Sequence, residues 1–340
     1  MNSTDNQTQE NSDKLFASLF ENAATRTRAP ADDEARIRTA LHTEWKKSVG
    51  RRRWRRLTVG LAAAASVVLA IFVYNEAFND PSAQTPTRMV ASVVKQSGRV
   101  MAGPAGTDTA MQQLRAKETL MTGSVIATAY NARLAIQWLG GESIRLDENT
   151  RLLLISETDI ELLSGRVYID SHADVTKPHS KSELGINTPF GRVQHLGTQY
   201  MAKLTVGSVI ISVRQGSVAV TGHSGKSIAV GGQKLSVSSK GQVNLAPIAI
   251  YGENWLWIEV ISPGFSINGR SLADFFDWVS RESGRSLEYG SVAAETLARD
   301  TVMRGGGTID LQPMRALELM LQTSDLVAEV HTGVIKIDTE

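Results

Sequence analysis

Apolar residues before residue 50 recur at the spacing of two short amphipathic helices. Acidic residues at positions 32–34 favour the start of the second helix, because carboxylates stabilise a helix N-terminus. Two such helices bury too little area for a core of their own, so their apolar stripes pack on each other or on another protein. The pattern predicts a helical arm over residues 1–56, with the candidate contact residues Leu15, Phe16, Leu19, Phe20, Ile37, Leu41 and Trp45.

An uncharged apolar run at residues 57–74 follows a cluster of arginines at residues 51–56. As a helix this run would be about 27 Å long, close to the thickness of a membrane's hydrocarbon core. Arginines beside such a helix favour the cytoplasmic side. The sequence therefore predicts one transmembrane helix, with the N-terminus in the cytoplasm and the rest of the chain outside.

The period of the pattern changes from four to two after a linker rich in proline, serine and threonine at residues 75–88. Apolar and polar residues alternate through residues 134–138 and 209–213, and glycines separate many such runs. No helical period of useful length interrupts them, which argues against a βαβ enzyme scaffold. We predict an all-β domain of many short strands at residues 89–246, built as a jelly roll or a solenoid.

The last part of the chain mixes the two periods. Strand patterns alternate with two helical patterns here, and the strand patterns lie at residues 265–267, 286–289, 328–330 and 334–337. Gly284 suits the C-cap of the first helix, and Pro313 suits the first turn of the second. This predicts a separate α+β domain of βαβ-βαβ type at residues 262–340. The connection at residues 247–261 is expected to be an interdomain strand or linker, with Trp255 and Trp257 on one face. For these two tryptophans, packing between the domains is favoured over a ligand-binding platform.

Composition narrows the functional classes. The 36 basic and 35 acidic residues nearly balance, which argues against nucleic-acid binding, and the absence of cysteine excludes disulfides and thiolate metal sites. The six histidines lack metal-ligand spacing, and for His172 and His179 a solvated loop is favoured over a metal site. No nucleophile elbow or phosphate-binding loop is present. We predict a protein that is not an enzyme and holds no cofactor.

The segment NTPFGRVQHLGTQY at residues 187–200 carries an ordered set of residues, Thr188, Gly191, Val193, Gly197, Thr198 and Tyr200. With the segments at residues 120–124, 162–167 and 209–220, it resembles the FecR family of bacterial membrane regulators of sigma factors. The glycines suit turns and the valines suit a core, so the motif indicates a fold and not a reactive site.

Residues 265–337 resemble the short N-terminal signalling domain of secretins and TonB-dependent transducers. The matching residues are Phe265, Ile267, Leu272, Ser283, Gly284, Ala316, Leu317, Leu321, Ile335, Lys336 and Ile337.

The two resemblances together imply a single-pass inner-membrane signal transducer of a Gram-negative bacterium. The arm would bind an extracytoplasmic-function sigma factor in the cytoplasm. In the periplasm, an edge strand containing Val334, Ile335 and Ile337 would bind the signalling domain of an outer-membrane TonB-dependent receptor. Contact with membrane lipid and regulated cleavage by membrane proteases are also implied.

Two other functions stay open at this point. The chain could be a structural component of a secretin-like cell-envelope assembly, since its last domain also resembles secretin modules. It could instead bind envelope polysaccharide through Trp138, Trp255 or Trp257.

Overall fold

The structure is a computed structural model that describes residues 32, 35–41, 43, 87–171 and 184–340. The chain divides into two units, Met1–Gln84 and Thr85–Glu340. In the first unit, residues 35–41 are helical and exposed, as the four-residue period predicts. The arm residues Leu15, Phe16, Leu19, Phe20 and Trp45, and the histidines His172 and His179, lie outside the described residues.

The second unit begins with a sheet of 16 strands. They are β1 (Met89–Ser97), β2 (Val100–Pro104), β3 (Gln112–Gln113), β4 (Thr119–Met121), β5 (Ser124–Thr128), β6 (Arg133–Trp138), β7 (Ser143–Leu146), β8 (Arg151–Leu154), β9 (Asp159–Ser164), β10 (Arg166–Asp170), β11 (Gly185–Thr188), β12 (Gly191–Leu204), β13 (Ser208–Gly222), β14 (Gly225–Val230), β15 (Gln233–Ser238) and β16 (Val243–Pro247). A 3-10 turn at Asp108–Ala110 precedes β3.

This sheet folds over so that its two halves enclose one core. One half runs β3-β2-β5-β8-β9-β11, and the β11–β12 hairpin leads into the other, β12-β10-β7-β6-β1-β4. Val100 and Leu152 from the first half lie in the same buried cluster as Leu134 and Val167 from the second. The region is mostly β, as the two-residue period predicts, because alternate side chains enter this shared core.

Two long strands, β12 with 14 residues and β13 with 15, extend the sheet and add residues to the same core. Their pairing register shifts between Leu196 and Tyr200. Opposite this shift, Gly216 has φ 78°, and a Cβ there would lie 2.4 Å from the Gly197 carbonyl oxygen. Residues 208–213 of β13, before the irregularity, pair with β15, and residues 217–222, after it, pair with β14. A glycine is needed here because the backbone is left-handed and the neighbouring strand is close.

The connection between the sheet and the C-terminal region is helical and not the expected strand. A 3-10 turn at Glu253–Trp255 leads into α1 (Leu256–Val260). Gly252 has φ 90°, which ends the extended chain before the turn. Trp255 and Trp257 are therefore not alternate residues of a strand, although both are buried.

The C-terminal region is a small α/β layer structure. Its elements are β17 (Phe265–Ser266), α2 (Leu272–Ser283), β18 (Ser286–Tyr289), α3 (Val292–Asp300), β19 (Thr308–Ile309), α4 (Pro313–Leu321), β20 (Leu326–His331) and β21 (Val334–Thr339). A three-stranded sheet has the order β18-β21-β20, and β17 pairs with β19. Phe275, Leu317, Ile335 and Ile337 belong to one buried cluster between the helices and this sheet.

Local signals placed these helix ends well. Pro313 occupies the first turn of α4, and Gly284 ends α2 with φ 73° in the left-handed region. Sequence reasoning missed α3, because its buried residues are the small Ala294 and Ala298 and its apolar stripe is therefore weak.

The predicted edge strand is wrong. Strand β21, which contains Val334, Ile335 and Ile337, lies in the centre of its sheet, between the parallel β18 and the antiparallel β20. Ile335 and Ile337 are 1% and 0% exposed and pack against the helices. The free edges of this sheet within the described chain are those of β18 and β20.

The predicted membrane topology also needs correction. No helix among the described residues is both long and apolar enough to cross a membrane. The longest of them, α2, has 12 residues, whereas a span needs about 20. The run at residues 57–74 lies outside the described residues. The structure therefore does not support a fold class with one transmembrane helix or a single-pass location in the inner membrane. The described residues form a mostly β structure with short helices.

Candidate functional site

Charged side chains are buried where the folded-over sheet meets the C-terminal region. Arg145 on β7 pairs with Glu282 on α2 through two hydrogen bonds, Nη1 to Oε2 at 2.6 Å and Nη2 to Oε1 at 2.9 Å. The same Nη1 donates to the Ile258 carbonyl oxygen at 3.2 Å. Arg145 is 0% exposed and Glu282 6%. This paired, planar geometry is the strongest form of a protein ion pair.

The electrostatics of Arg145 follow from this partner. Burial has the largest single effect and would lower the pKa of the guanidinium group, but the Glu282 carboxylate, Tyr168 and Asp170 together outweigh burial and the pKa is raised. The ring of Tyr168 lies 5.2 Å from the guanidinium carbon. Arg145 is therefore charged in the folded protein, and either partner would be costly to bury without the other.

A second ion pair joins the buried Asp170 at the end of β10 to the partly exposed Arg281 on α2. Arg281 Nε donates to Asp170 Oδ2 at 2.9 Å, and its Nη2 donates to the other carboxylate oxygen. Gln199 donates to Asp170 Oδ2 at 3.0 Å. Burial would lower the pKa of Arg281, but the Asp170 carboxylate outweighs this and the pKa is raised. Consecutive residues of α2 thus bind two different strands of the sheet.

Arg214 on β13 completes the junction without a carboxylate hydrogen bond. Its Nε donates to the Ile250 carbonyl oxygen at 2.8 Å and its Nη1 to the Glu282 carbonyl oxygen at 3.1 Å. The guanidinium carbon lies 4.5 Å from the centre of the Trp255 ring, a cation–π contact. A Cβ at Gly284 would lie 2.7 Å from Arg214 Nε, so glycine at this helix end also makes room for the arginine.

An aromatic cluster lies beside these charges. Tyr168 and Trp255 pack edge to face with ring centres 6.4 Å apart, and Met201, Trp257 and Ile258 complete the cluster. Burial, and then the Asp170 carboxylate, raise the pKa of Tyr168. Trp255 Nε1 donates to the Ala249 carbonyl oxygen at 2.7 Å. The two tryptophans of this connection thus pack against β10 and β12.

The three tryptophans named for polysaccharide binding offer no open ring face. Trp138 is 1% exposed, Trp255 0% and Trp257 6%. Trp138 Nε1 also donates to the Glu157 carbonyl oxygen at 2.9 Å. A sugar needs an exposed ring for stacking, so this geometry does not favour a saccharide module.

The residues of the FecR-like motif shape the β11–β12 hairpin. Thr188 Oγ1 donates to the Gly191 carbonyl oxygen at 2.7 Å and accepts from the Phe190 N–H at 3.2 Å. Val193 and Tyr200 lie in the sheet core, and Thr198 is 1% exposed. Burial, and then the Glu142 carboxylate, raise the pKa of Tyr200. Gly197 lies in the register shift of β12 and has φ 59°.

The junction residues escaped the sequence analysis although they left a signal. Arg145 stands between the apolar Ile144 and Leu146, and Arg214 directly follows the mostly apolar run VIISV at residues 209–213. A charge at such a position suggests a strand that is covered on both faces. Nothing local indicates that Glu282, 137 residues away, is the partner of Arg145.

In the arm, Ile37 and Leu41 are 59% and 67% exposed. They lie four residues apart on a helix, so they share one face. Among the described residues no cluster of three potential metal ligands occurs.

Comparisons with known proteins identify the central region. Residues 124–219 match the family model of the FecR protein. Among curated proteins none matches significantly. Two crystal structures of a putative anti-sigma factor from Parabacteroides distasonis ATCC 8503 are each 13% identical to the chain. Each match covers 64% of this chain, and 99% of the first structure and 98% of the second. The TM-scores are 0.33 and 0.32. Similarity at this level carries no argument about fold or function.

The matched residues begin at the first residue of β5 and end within β13. They contain the β11–β12 hairpin with its motif, and also Arg145, Asp170 and Arg214. The junction with the C-terminal region is thus built on the matched part of the sheet. Residues 124–219 of the chain therefore carry a FecR domain.

Proposed function

We propose that the protein regulates an extracytoplasmic-function sigma factor, and that the C-terminal region receives the signal. The observation that carries the proposal is the FecR domain with a second α/β region fixed to it by the Arg145–Glu282 and Asp170–Arg281 pairs. Both pairs use α2, so any displacement of that helix must break ion pairs that have at least one buried partner. A partner that binds the C-terminal region can therefore change the FecR domain through this junction.

The arm is the proposed contact with the sigma factor. Ile37 and Leu41 expose two aliphatic side chains on one helical face. An amphipathic helix of this kind binds a partner by placing its apolar face in a groove. Leu15, Phe16, Leu19, Phe20 and Trp45 are proposed to extend the same surface.

The C-terminal region is the proposed contact with the signal. Its resemblance to the signalling domain of TonB-dependent transducers favours the signalling domain of such a receptor as the partner. The sheet face away from the helices is open, and Glu288, Lys336 and Glu329 form a charged row across it. Because β21 is central, the edges of β18 and β20 replace the predicted edge as candidate docking positions.

The arm is tested by co-purification of the full chain with each extracytoplasmic-function sigma factor of the source organism. The double variant Ile37→Asp with Leu41→Asp should reduce capture at least tenfold, because carboxylates cannot enter an apolar groove. Thr39→Asp with Thr43→Asp is the matched control, since it adds the same two charges to the same helix, at exposed positions with the same four-residue spacing. Capture unaffected by the double variant, or no capture of any sigma factor, would refute the proposal.

A further inference from the structure

The edge strand β14 presents large apolar side chains on an open face of the sheet. Ile228 is 55% and Val230 46% exposed, whereas Ala229 between them is buried in the core. Leu196 on β12 is 81% exposed and lies in the same row as Val230, with Ser217 between them. These three side chains, Leu196, Ile228 and Val230, form the β14 patch. Exposed apolar side chains that share one face of a sheet in this way indicate a contact surface.

The backbone of β14 is also available for pairing. In the described part of the chain, β14 pairs only with β13. The two strands join through a two-residue hairpin whose closing pair is Gly222 and Gly225. Alternate residues of β14 therefore direct their backbone groups to opposite sides. Those of Ser227 and Ala229 bond to β13, and those of Ile228, between them, face the free edge. The outward direction is visible at Val230, whose N–H donates to the Gln233 side chain at 3.0 Å. Ile228 therefore directs both its N–H and its carbonyl group out of the sheet.

We propose that β14 pairs in antiparallel fashion with β14 of a second copy of this chain, about a two-fold axis at Ile228. Ile228 then faces Ile228 of the partner subunit, and the two residues exchange two hydrogen bonds. Lys226 faces the partner's Val230, and Ser227 faces the partner's Ala229. The sheets become continuous and the two β14 patches merge. This interaction goes beyond the proposed function and does not depend on it.

The charge distribution favours a second copy over a charged partner strand. Lys226 is the single charged residue of β14. The two-fold register holds the two copies of Lys226 about 14 Å apart along the strands, beyond the roughly 8 Å screening length of physiological salt. The aliphatic stem of each lysine can cover the opposite Val230. Like charges therefore do not oppose the pairing, and one cation is a weak attractant for an acidic strand.

The size of the contact sets its strength. One pair of six-residue strands and a small apolar patch bury less than the roughly 1,200 Å² typical of stable complexes. We therefore expect a reversible dimer with a dissociation constant on the order of 100 µM. The same contact would be much more populated wherever the chain is locally concentrated.

The first test uses the absence of cysteine from the chain. Ile228→Cys places one thiol on each side of the axis, in a hydrogen-bonded pair whose Cα atoms are about 5.5 Å apart, within the reach of a disulfide. The purified full-length variant should form a covalent dimer under mild oxidation. Lys226→Cys alone should not, but Lys226→Cys mixed with Val230→Cys should, because those residues face each other across the axis.

Val330→Cys is the matched control for chance collisions. Val330 is 48% exposed on β20, an edge strand of the three-stranded sheet. Ile228→Cys should cross-link at least tenfold faster than this control. Equal rates for the two variants, or no dimer from Ile228→Cys, would overturn the proposal.

The second test is sedimentation of the full chain over a concentration series. Ile228→Pro removes an outward N–H and leaves the β13 ladder intact, so the circular dichroism spectrum should be unchanged while dimer affinity falls at least tenfold. Val330→Pro should leave the dimer unaffected. Wild-type association that is absent up to about 1 mM, or that Val330→Pro abolishes, contradicts the proposal. An affinity that falls steeply with added salt would also contradict it, because it would indicate pairing between opposite charges.

Discussion

At the residue scale, the junction depends on side chains whose charges would be costly without their partners. Arg145 and Glu282 satisfy each other through two hydrogen bonds in a site closed to water. Such a pair adds little net stability over apolar residues of the same shape, because desolvation offsets the attraction. Its effect is to permit one orientation of α2 on β7 and to penalise others.

The Arg145 pair can be tested by a cycle of substitutions. Arg145→Ala should lower the free energy of unfolding by about 3–5 kcal/mol, because Glu282 stays buried without its partner. The double variant Arg145→Met with Glu282→Met should recover most of that loss. Urea titration measures both. Arg315→Ala, which removes an exposed pair with Glu318, should cost no more than about 1 kcal/mol. A double variant as unstable as the single one would show that packing, and not the unpaired charge, carries the effect.

Glu259 on α1 is a residue whose burial opposes its charge. It is 4% exposed and its Oε1 has no hydrogen-bond partner. Burial raises the pKa of Glu259, and the nearby Arg285 and Arg214 only partly offset the rise, while Glu282 adds to it. Because the folded form holds the proton more tightly than the unfolded form, this residue stabilises the fold at low pH. The contribution is lost as the pH rises from the ordinary value, near 4.5, through the raised pKa.

Glu259→Gln should therefore stabilise the protein at neutral pH by about 1 kcal/mol and have little effect near pH 4. Thermal melts at a series of pH values measure the difference. Glu253→Gln, at an exposed residue three positions before α1, serves as the control and should not alter the pH profile. A stability difference that is the same at all pH values would mean that Glu259 does not titrate in this range.

At the element scale, the position of a strand within its sheet decides which substitutions it tolerates. Strand β21 has partners on both sides, whereas β20 has one. The β20–β21 hairpin closes at His331 and Val334, so the N–H of Val330 faces the free edge. Proline at Ile335 would remove a donor inside the sheet, and proline at Val330 would not.

Ile335→Pro should therefore unfold the C-terminal region, at a cost of about 3 kcal/mol or more, and Val330→Pro should cost about 1 kcal/mol or less. Limited proteolysis of the full chain distinguishes the two, since only the first should expose cleavage sites after residue 262. Equal resistance of both variants would contradict the central position of β21.

At the scale of the whole molecule, two apolar cores are joined by a charged junction. One core fills the folded-over sheet and the other lies between the helices and the β18-β21-β20 sheet. The aromatic cluster around Trp255 and both ion pairs connect them. Lys95 on β1 adds a further link, with a hydrogen bond to Asp310 at 2.5 Å. The two cores are thus expected to unfold together.

Calorimetry should show one transition for the second unit of the wild-type chain. Arg145→Met combined with Arg281→Met should split it into two, because Glu282 and Asp170 then oppose docking while each core stays intact. Arg299→Met combined with Arg315→Met removes two exposed pairs and should keep one transition. A single transition in the junction variant would show that the two cores share more than these contacts.

Features that depend on neighbouring residues were predictable from the sequence. The two-residue period indicated the β region, Pro313 and Gly284 marked ends of helices, and the motif at residues 187–200 identified the FecR domain. Each of these rests on interactions within about four positions along the chain, or on a glycine whose conformation few other residues adopt.

Features that depend on distant residues were decided by the tertiary structure alone. Strand β21 became central because β18, nearly fifty residues earlier, pairs with it in parallel. Arg145 became buried because Glu282, 137 residues later, neutralises it there. Hydrogen bonds and ion pairs form between residues that are far apart in the sequence as readily as between neighbours. The same local pattern is therefore compatible with an edge strand or a central strand, and with an exposed charge or a buried one. Which of them forms is settled only when the two parts of the chain meet.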